Sequence, residues 1–141
     1  LNGGLVVRDQ QKLPRFAPLI SRDARLTFAD GRIDASANFA EVTTNTAVGR
    51  ADIAHRFEDG TGSADLLIIS MLFNEAFQPD QLTPLALGVI ANASGTLAGR
   101  GRIDWNGDGV TSSGTFTTAG SDFAAAFGSV NGASTTIVLD D

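Results

Sequence analysis

The 141-residue chain has no cysteine, no tyrosine and a single histidine. Without cysteine it has neither a disulfide framework nor a thiolate metal site. His55 is flanked by Asp52 and Arg56 with no candidate nucleophile nearby, which removes most arrangements in which a histidine activates a nucleophile. No paired carboxylates stand out, and the Gly-Arg-Gly at 99–101 lacks the third glycine of a dinucleotide loop. We therefore predict that the chain is not an enzyme and needs no cofactor.

The chain also lacks a long apolar run and a net positive charge. The formal net charge of −6 argues against binding to nucleic acid. No stretch has the pattern of a transmembrane helix or a secretory signal. The chain starts at Leu1 rather than Met, and it stops shortly after a strand-like segment. We therefore expect residues 1–141 to be a single β-rich segment cut from a larger protein, with any anchor outside it.

The most regular pattern spans residues 94–127, where we predict two long strands around a tight turn and the start of a third. Large or glycine residues alternate with polar ones over 96–105, and 110–117 repeats the alternation. Successive side chains of a strand point to opposite faces, so one face is apolar and the other lies in water. Asn-Gly at 106–107 and Asp-Gly at 108–109 predict the turn, because residues in such turns adopt positive φ.

The apolar face of this hairpin is uneven. Large side chains alternate with glycines, namely Gly99, Gly101 and Gly114. Glycine within a strand marks a bend, a bulge or the close approach of another group. Two explanations stay open: a sharply curved sheet around an ordinary core, or a concave face that admits a ligand.

The rest of the chain predicts further strands joined by short turns, one of them the Asp-Gly at 30–31. These strands are expected at residues 3–8, 25–28, 32–41, 48–57, 63–73, 122–127 and 134–139. The fold class that follows is all-β. We predict a strongly curved antiparallel sheet, a half-pipe or β-roll of about eight strands, with one short helix.

The helix is predicted from the consecutive apolar residues at 66–69. They make both faces of their strand apolar, so another layer must cover the second face. An amphipathic segment follows, in which Thr83 can cap a helix that has Pro84 at its first position. We expect this helix to span residues 80–92 and to pack Leu85 against that strand.

The central turn resembles the opening of a calcium loop. Asp104, Asn106 and Asp108 place oxygen ligands at alternate positions, as such loops require. The closing position falls on Thr115, where a bidentate glutamate belongs. A hairpin turn explains the same residues, and we predict that they bind no metal.

Several stretches match the pattern of a known family. The most specific are residues 82–85 (LTPL), 93–101, 101–105 (GRIDW), 109–112 (GVTS) and 122–128 (DFAAAFG). Looser matches lie upstream, at residues 15–19 and 29–33 (ADGRI). Through these residues the chain resembles the YdbH family over most of its length.

The resemblance implies a function that the residues alone do not reveal. YdbH-like proteins are similar to the AsmA-like group that includes TamB, whose members are anchored in the inner membrane and span the periplasm. Their strands form an apolar half-pipe thought to carry phospholipid toward the outer membrane. The implied partners are phospholipid acyl chains and flanking β segments of the same polypeptide, and an isolated fragment is expected to self-associate or to hold detergent or lipid in the groove. The older family description, dicarboxylate transport, finds no support, since no Arg/Lys pair converges on a pocket.

On this interpretation the candidate groove residues are the large side chains of the apolar strand faces. They are Ile33, Phe39, Ile53, Phe57, Leu97, Ile103, Trp105 and Phe116. An alternative function stays open, in which the chain is a structural or protein-interaction β-module stabilised by calcium.

Overall fold

The structure is a computed structural model that describes residues 1–125 and 128–140. Over those residues the chain forms one antiparallel sheet of eight strands, and their spatial order is their order in the chain. The strands are β1 (Asn2–Val7), β2 (Leu19–Ala29), β3 (Arg32–Glu41), β4 (Ala47–Arg56), β5 (Gly62–Phe73), β6 (Ile90–Trp105), β7 (Val110–Ala125) and β8 (Gly128–Asp140). Within the described residues β1 and β8 each pair on one side only, so the sheet is open. The all-β prediction is confirmed.

Most strand predictions are confirmed, and the clearest error concerns the end of the central hairpin. The separate strand predicted at 122–127 does not begin anew, because β7 continues from Val110 to Ala125. Its register shifts between Thr118 and Ser121, so a bulge replaces the expected break. The last two residues of the predicted strand lie outside the described residues.

The strand register separates the sheet into two faces. Ala35 of β3 lies opposite Ile53 of β4, and the same row continues through Ala64 and Ile103. The neighbouring row, one residue along, contains Ser36, Asp52, Asp65 and Arg102. We call the face of the first row the apolar face and the face of the second row the outer face.

Bulges line up across the sheet and give it curvature. Register shifts fall between Ile20 and Arg25, between Phe39 and Ala40, between Ile68 and Met71, and between Thr118 and Ser121. These positions neighbour one another from strand to strand. Each bulge bends its strand and increases the local twist, so a row of bulges bends the sheet as a whole.

Asp23 holds the first of these bulges in place. Its carboxylate accepts hydrogen bonds from the Asn38 side chain (2.6 Å), the Asn38 backbone N–H (3.0 Å) and the Ser21 hydroxyl (2.9 Å). These bonds, with the Asn38 side chain first, lower the pKa of Asp23 from 3.8 to about 2. The carboxylate therefore joins the bulged stretch of β2 to β3.

The helix prediction is correct in its start signal and wrong in its length. A single turn, α1 (Pro79–Leu82), is followed by a 3-10 turn at Pro84–Ala86. Thr83 caps that second turn, since its hydroxyl accepts from the backbone N–H of Leu85 (3.2 Å). Pro84 has no N–H to continue the α-helical ladder, and β6 begins at Ile90, so no helix spans 80–92.

The predicted packing of Leu85 on β5 is also wrong. Leu85 is 70% exposed, and Ile69 of the doubly apolar run is 79% exposed. The bulge between Ile68 and Met71 explains the exposure of Ile69, because it breaks the alternation of side chains along β5. The segment between β5 and β6 buries Phe77 instead, whose ring stacks on Phe73 at 5.6 Å.

The central turn forms where it was predicted, by a different mechanism. Asp30 and Gly31 have the positive φ expected of an Asp-Gly turn (50° and 71°), whereas neither Gly107 nor Gly109 does. Asn106 holds the central turn instead: its side-chain oxygen accepts from the backbone N–H groups of Asp108 (2.8 Å) and Gly109 (3.1 Å). The positive φ predicted there is therefore wrong.

Candidate functional site

The register brings seven of the eight candidate residues of the sequence to the apolar face, and side-chain contacts place the eighth, Phe57, beside them. Ile53 and Ile103 share one row, and Ile33 and Trp105 share the row at the turn end. Phe39, Phe116 and Leu97 lie farther along the same face. Phe57 follows the end of β4 and joins the turn-end row through edge-on contacts with Phe28 and His55.

An aromatic cluster closes the turn end of the apolar face. The indole N–H of Trp105 donates to Nδ1 of His55 (3.2 Å), and the His55 ring meets Phe57 with 5.1 Å between centroids. Phe28 contacts Phe57 in turn, at 5.8 Å. The single histidine is therefore the hydrogen-bond partner of the single tryptophan.

The glycines of the apolar face lie beneath aromatic rings. A Cβ on Gly62 would clash with the indole of Trp105, and one on Gly114 would lie 2.7 Å from Cε2 of Phe116. A Cβ on Gly99 would lie 2.5 Å from Cδ1 of the same ring. The groups that approach these glycines closely are therefore the rings of Trp105 and Phe116, which lie flat on the sheet.

The other half of the apolar face, from β1 to β4, contains a cavity of about 340 Å³. Ala35, Ala37 and Ala51 line it, and two of the candidate residues, Phe39 and Ile53, lie beside them. Leu1, Leu5 and Leu26 add to its mainly apolar lining, which also includes Asn2, Arg25 and Ser36. The small alanine side chains leave space above this half of the face. In the other half, aromatic rings fill the space above the glycines. Sequence alternation places these alanines on the correct face, but only the curvature shows that they line a cavity.

The outer face carries ion pairs in place of a core. Arg32 binds Asp34 (2.6 Å) and Arg50 binds Asp52 (2.6 Å), each pair two residues apart on one strand. Arg102 binds both Asp104 (2.8 Å) and Asp65 (2.9 Å). The side chains are about half exposed, and the hydrogen bond from Arg50 lowers the pKa of Asp52. This face is built to stay in water.

A larger cavity of about 740 Å³ lies at the turn end, and most of the residues that line it are polar or charged. Arg32, Arg56, Asp104 and Asp108 are among its lining residues. The Asp104 carboxylate is bound to Arg102. Over the described part of the chain, no group of three or more His, Cys, Asp or Glu side chains is placed to hold a metal ion.

Comparison with known proteins assigns the family. The model of the YdbH-like family, described as intermembrane phospholipid transport protein YdbH, matches residues 3–141. The chain belongs to the YdbH-like family. Its family-level function is therefore intermembrane phospholipid transport, which associates it with the cell envelope. No curated protein and no solved structure matches the chain.

The family assignment gives the apolar face a chemical meaning. A phospholipid transporter must bind acyl chains, and hydrocarbon prefers apolar surface to water. Among helices within the described ranges, none is both long and apolar enough to cross a membrane.

Proposed function

We propose that this chain is a non-enzymatic groove segment of a longer, inner-membrane-anchored protein that spans the periplasm. Its apolar face carries phospholipid acyl chains between the inner and outer membranes. The observation that supports this most strongly is the separation of the two faces: every row with a candidate residue faces away from the ion pairs of the outer face.

The cavity between β1 and β4 is the part of the face best suited to hold a chain. Ala37 and Ala51 are small and are 5% and 8% exposed, so a guest would rest on a closely packed surface. Each methylene transferred from water to such a surface contributes about 0.8 kcal/mol. A few ordered methylenes would thus be enough for weak, reversible binding, which suits a transporter that must release its cargo.

The flat rings extend the same apolar surface toward β7. Trp105 and Phe116 lie over glycines on the apolar face. The rings fill the space above their own strands, whereas the space above the alanines of β3 and β4 stays open. We propose that acyl chains bind in the cavity and slide over the rings.

The free edges of the sheet suit continuation by neighbouring strands. β1 and β8 each have one side without a partner in the described residues. Exposed strand edges are templates for further pairing. Flanking β segments of the same polypeptide would extend the apolar face there, and an isolated fragment would pair with another copy through the same edges.

The test is lipid mass spectrometry of the full-length protein purified from membranes. Phospholipid is expected to copurify with the wild type and with Arg50→Ala, a control on the outer face. Ala35→Trp should fill the cavity without adding charge and should lower the bound phospholipid several-fold. Equal phospholipid in all three proteins would contradict the proposal and favour a structural role for the chain.

A further inference from the structure

Two connections that are far apart in the chain are joined at the bulged end of the sheet. The backbone N–H of Ala17, between β1 and β2, donates to the carbonyl of Leu82 (2.8 Å). The hydroxyl of Thr83 donates to the carbonyl of Arg15 (2.5 Å). Residues 15–17 and 82–83, which we call the tie, therefore link the β1–β2 connection to the β5–β6 connection. The β3–β4 hairpin lies between the two in the sheet.

One side of the tie is firmly anchored. The Gln78 amide accepts from the backbone N–H of Ala93 (2.8 Å) and donates to the carbonyls of Ala93 (2.9 Å) and Asn74 (2.6 Å). Phe77 next to it is 1% exposed and stacks on Phe73. Phe73 lies two residues from Met71, which pairs with Leu97 of the apolar face. The β5–β6 connection is thus fixed on the apolar side of the sheet.

The tie itself is the weaker part of this bridge. It consists of one backbone and one side-chain hydrogen bond, and the Thr83 bond is exposed to solvent. Its two segments have irregular backbone, with no strand ladder between them. Such exposed hydrogen bonds open at low free-energy cost. The two hydrogen bonds of the tie can therefore break while Gln78 keeps its hydrogen bonds and Phe77 stays buried.

We propose that the tie is a gate over the bulged end of the apolar face, which must open for a phospholipid to pass that end. This inference rests on the proposed function. The β1–β2 and β5–β6 connections, joined by the tie, form a closed ring together with strands β2 to β5. A bound phospholipid keeps its charged headgroup in water, because burying an unpaired charge is very costly. A lipid with its chains inside the ring and its headgroup outside cannot pass the closed tie.

The chain's lack of cysteine makes a direct test possible. In a cysteine-free form of the full-length protein, Arg15→Cys and Thr83→Cys are joined by a short bismaleimide. Thr117→Cys and Thr136→Cys, which face each other on β7 and β8, provide a matched link between strands that need not separate. The delipidated proteins are loaded from phosphatidylethanolamine and phosphatidylglycerol vesicles, and phospholipid adducts are measured from a photo-crosslinker at position 53.

Linking 15 to 83 should reduce the rate of adduct formation at least fivefold, whereas linking 117 to 136 should leave it unchanged. Thr83→Val, which removes the hydroxyl, should increase the rate. Equal rates with the tie linked and unlinked would overturn the gate and leave the proposed function standing. Absence of adducts from every form, unlinked protein included, would overturn the proposed function and the gate with it.

Discussion

Adjacent residues of β4 show how differently the two faces of the sheet are built. Ala51 is almost fully buried on the apolar face, and Asp52 beside it is half exposed and paired with Arg50. Exposed ion pairs contribute about 0–1 kcal/mol each, so the outer face contributes little to stability. The buried alanines Ala37, Ala51 and Ala64 lie on the apolar face instead. The outer face instead keeps one side of a thin sheet in water, so that the other side can remain apolar.

The largest effect should come from placing a charge on the apolar face. Ala51→Asp would bury an unpaired carboxylate and should lower the free energy of unfolding by roughly 3 kcal/mol or more. The matched change one residue away, Asp52→Ala, should cost less than about 1 kcal/mol. Urea unfolding monitored by circular dichroism measures both. Similar losses for the two variants would show that the faces are not energetically distinct.

A smaller effect should come from the glycines beneath the rings. Gly114→Ala places a methyl group against Phe116 and should cost about 1–2 kcal/mol. In a Phe116→Ala background the same change should cost clearly less, because the ring is gone and only the Arg100 carbonyl oxygen, 3.1 Å from the new Cβ, remains close. A double-mutant cycle isolates this coupling. If Gly114→Ala costs the same in both backgrounds, the glycine serves the backbone and not the ring.

Asp23 is the outer-face carboxylate from which we expect a measurable, pH-dependent contribution. Its pKa in the folded state is lowered to about 2, so its stabilisation is fully present above pH 3.8 and is lost as the pH falls toward 2. Asp23→Ala should reduce stability at pH 7, and the gap to the wild type should close between pH 4 and pH 2. A gap that stays constant with pH would show that the ionised carboxylate does not hold the bulge.

The smallest effect is expected from calcium. Asn106 already uses its oxygen within the turn, and Asp104 is bound to Arg102. Thermal unfolding in millimolar calcium and in chelator should therefore give the same Tm within error. A rise of several degrees with calcium would indicate binding to the folded state. It would revive the alternative of a calcium-stabilised module.

The division into faces was predictable from the sequence because period-two alternation needs no knowledge of strand partners. Arg-x-Asp occurs at 32–34, 50–52 and 102–104, and that spacing already marks one face of a strand. The bulges were not predictable, since an extra residue is defined only relative to its partner strand. The exposure of Ile69 followed from one of them.

The tie and the cavity also depend on contacts that lie far apart in the chain. Thr83 was identified as a helix cap, and its hydroxyl also donates to a carbonyl 68 residues away. Alternation with Ile33 and Phe39 places Ala35 and Ala37 on the apolar face, but their role as cavity lining depends on the curvature of the sheet. Local sequence patterns therefore predict neither the hydrogen bonds of the tie nor the cavity.

Position-by-position photo-crosslinking along β4, in the full-length protein in cells, measures most directly whether lipid occupies the apolar face. A crosslinker is placed in turn at each residue from Arg50 to His55. Phospholipid adducts should form at Ala51, Ile53 and His55 and be absent at Arg50, Asp52 and Ala54, which face the opposite way. Adducts that do not alternate, or that are absent throughout, would contradict transport along this face.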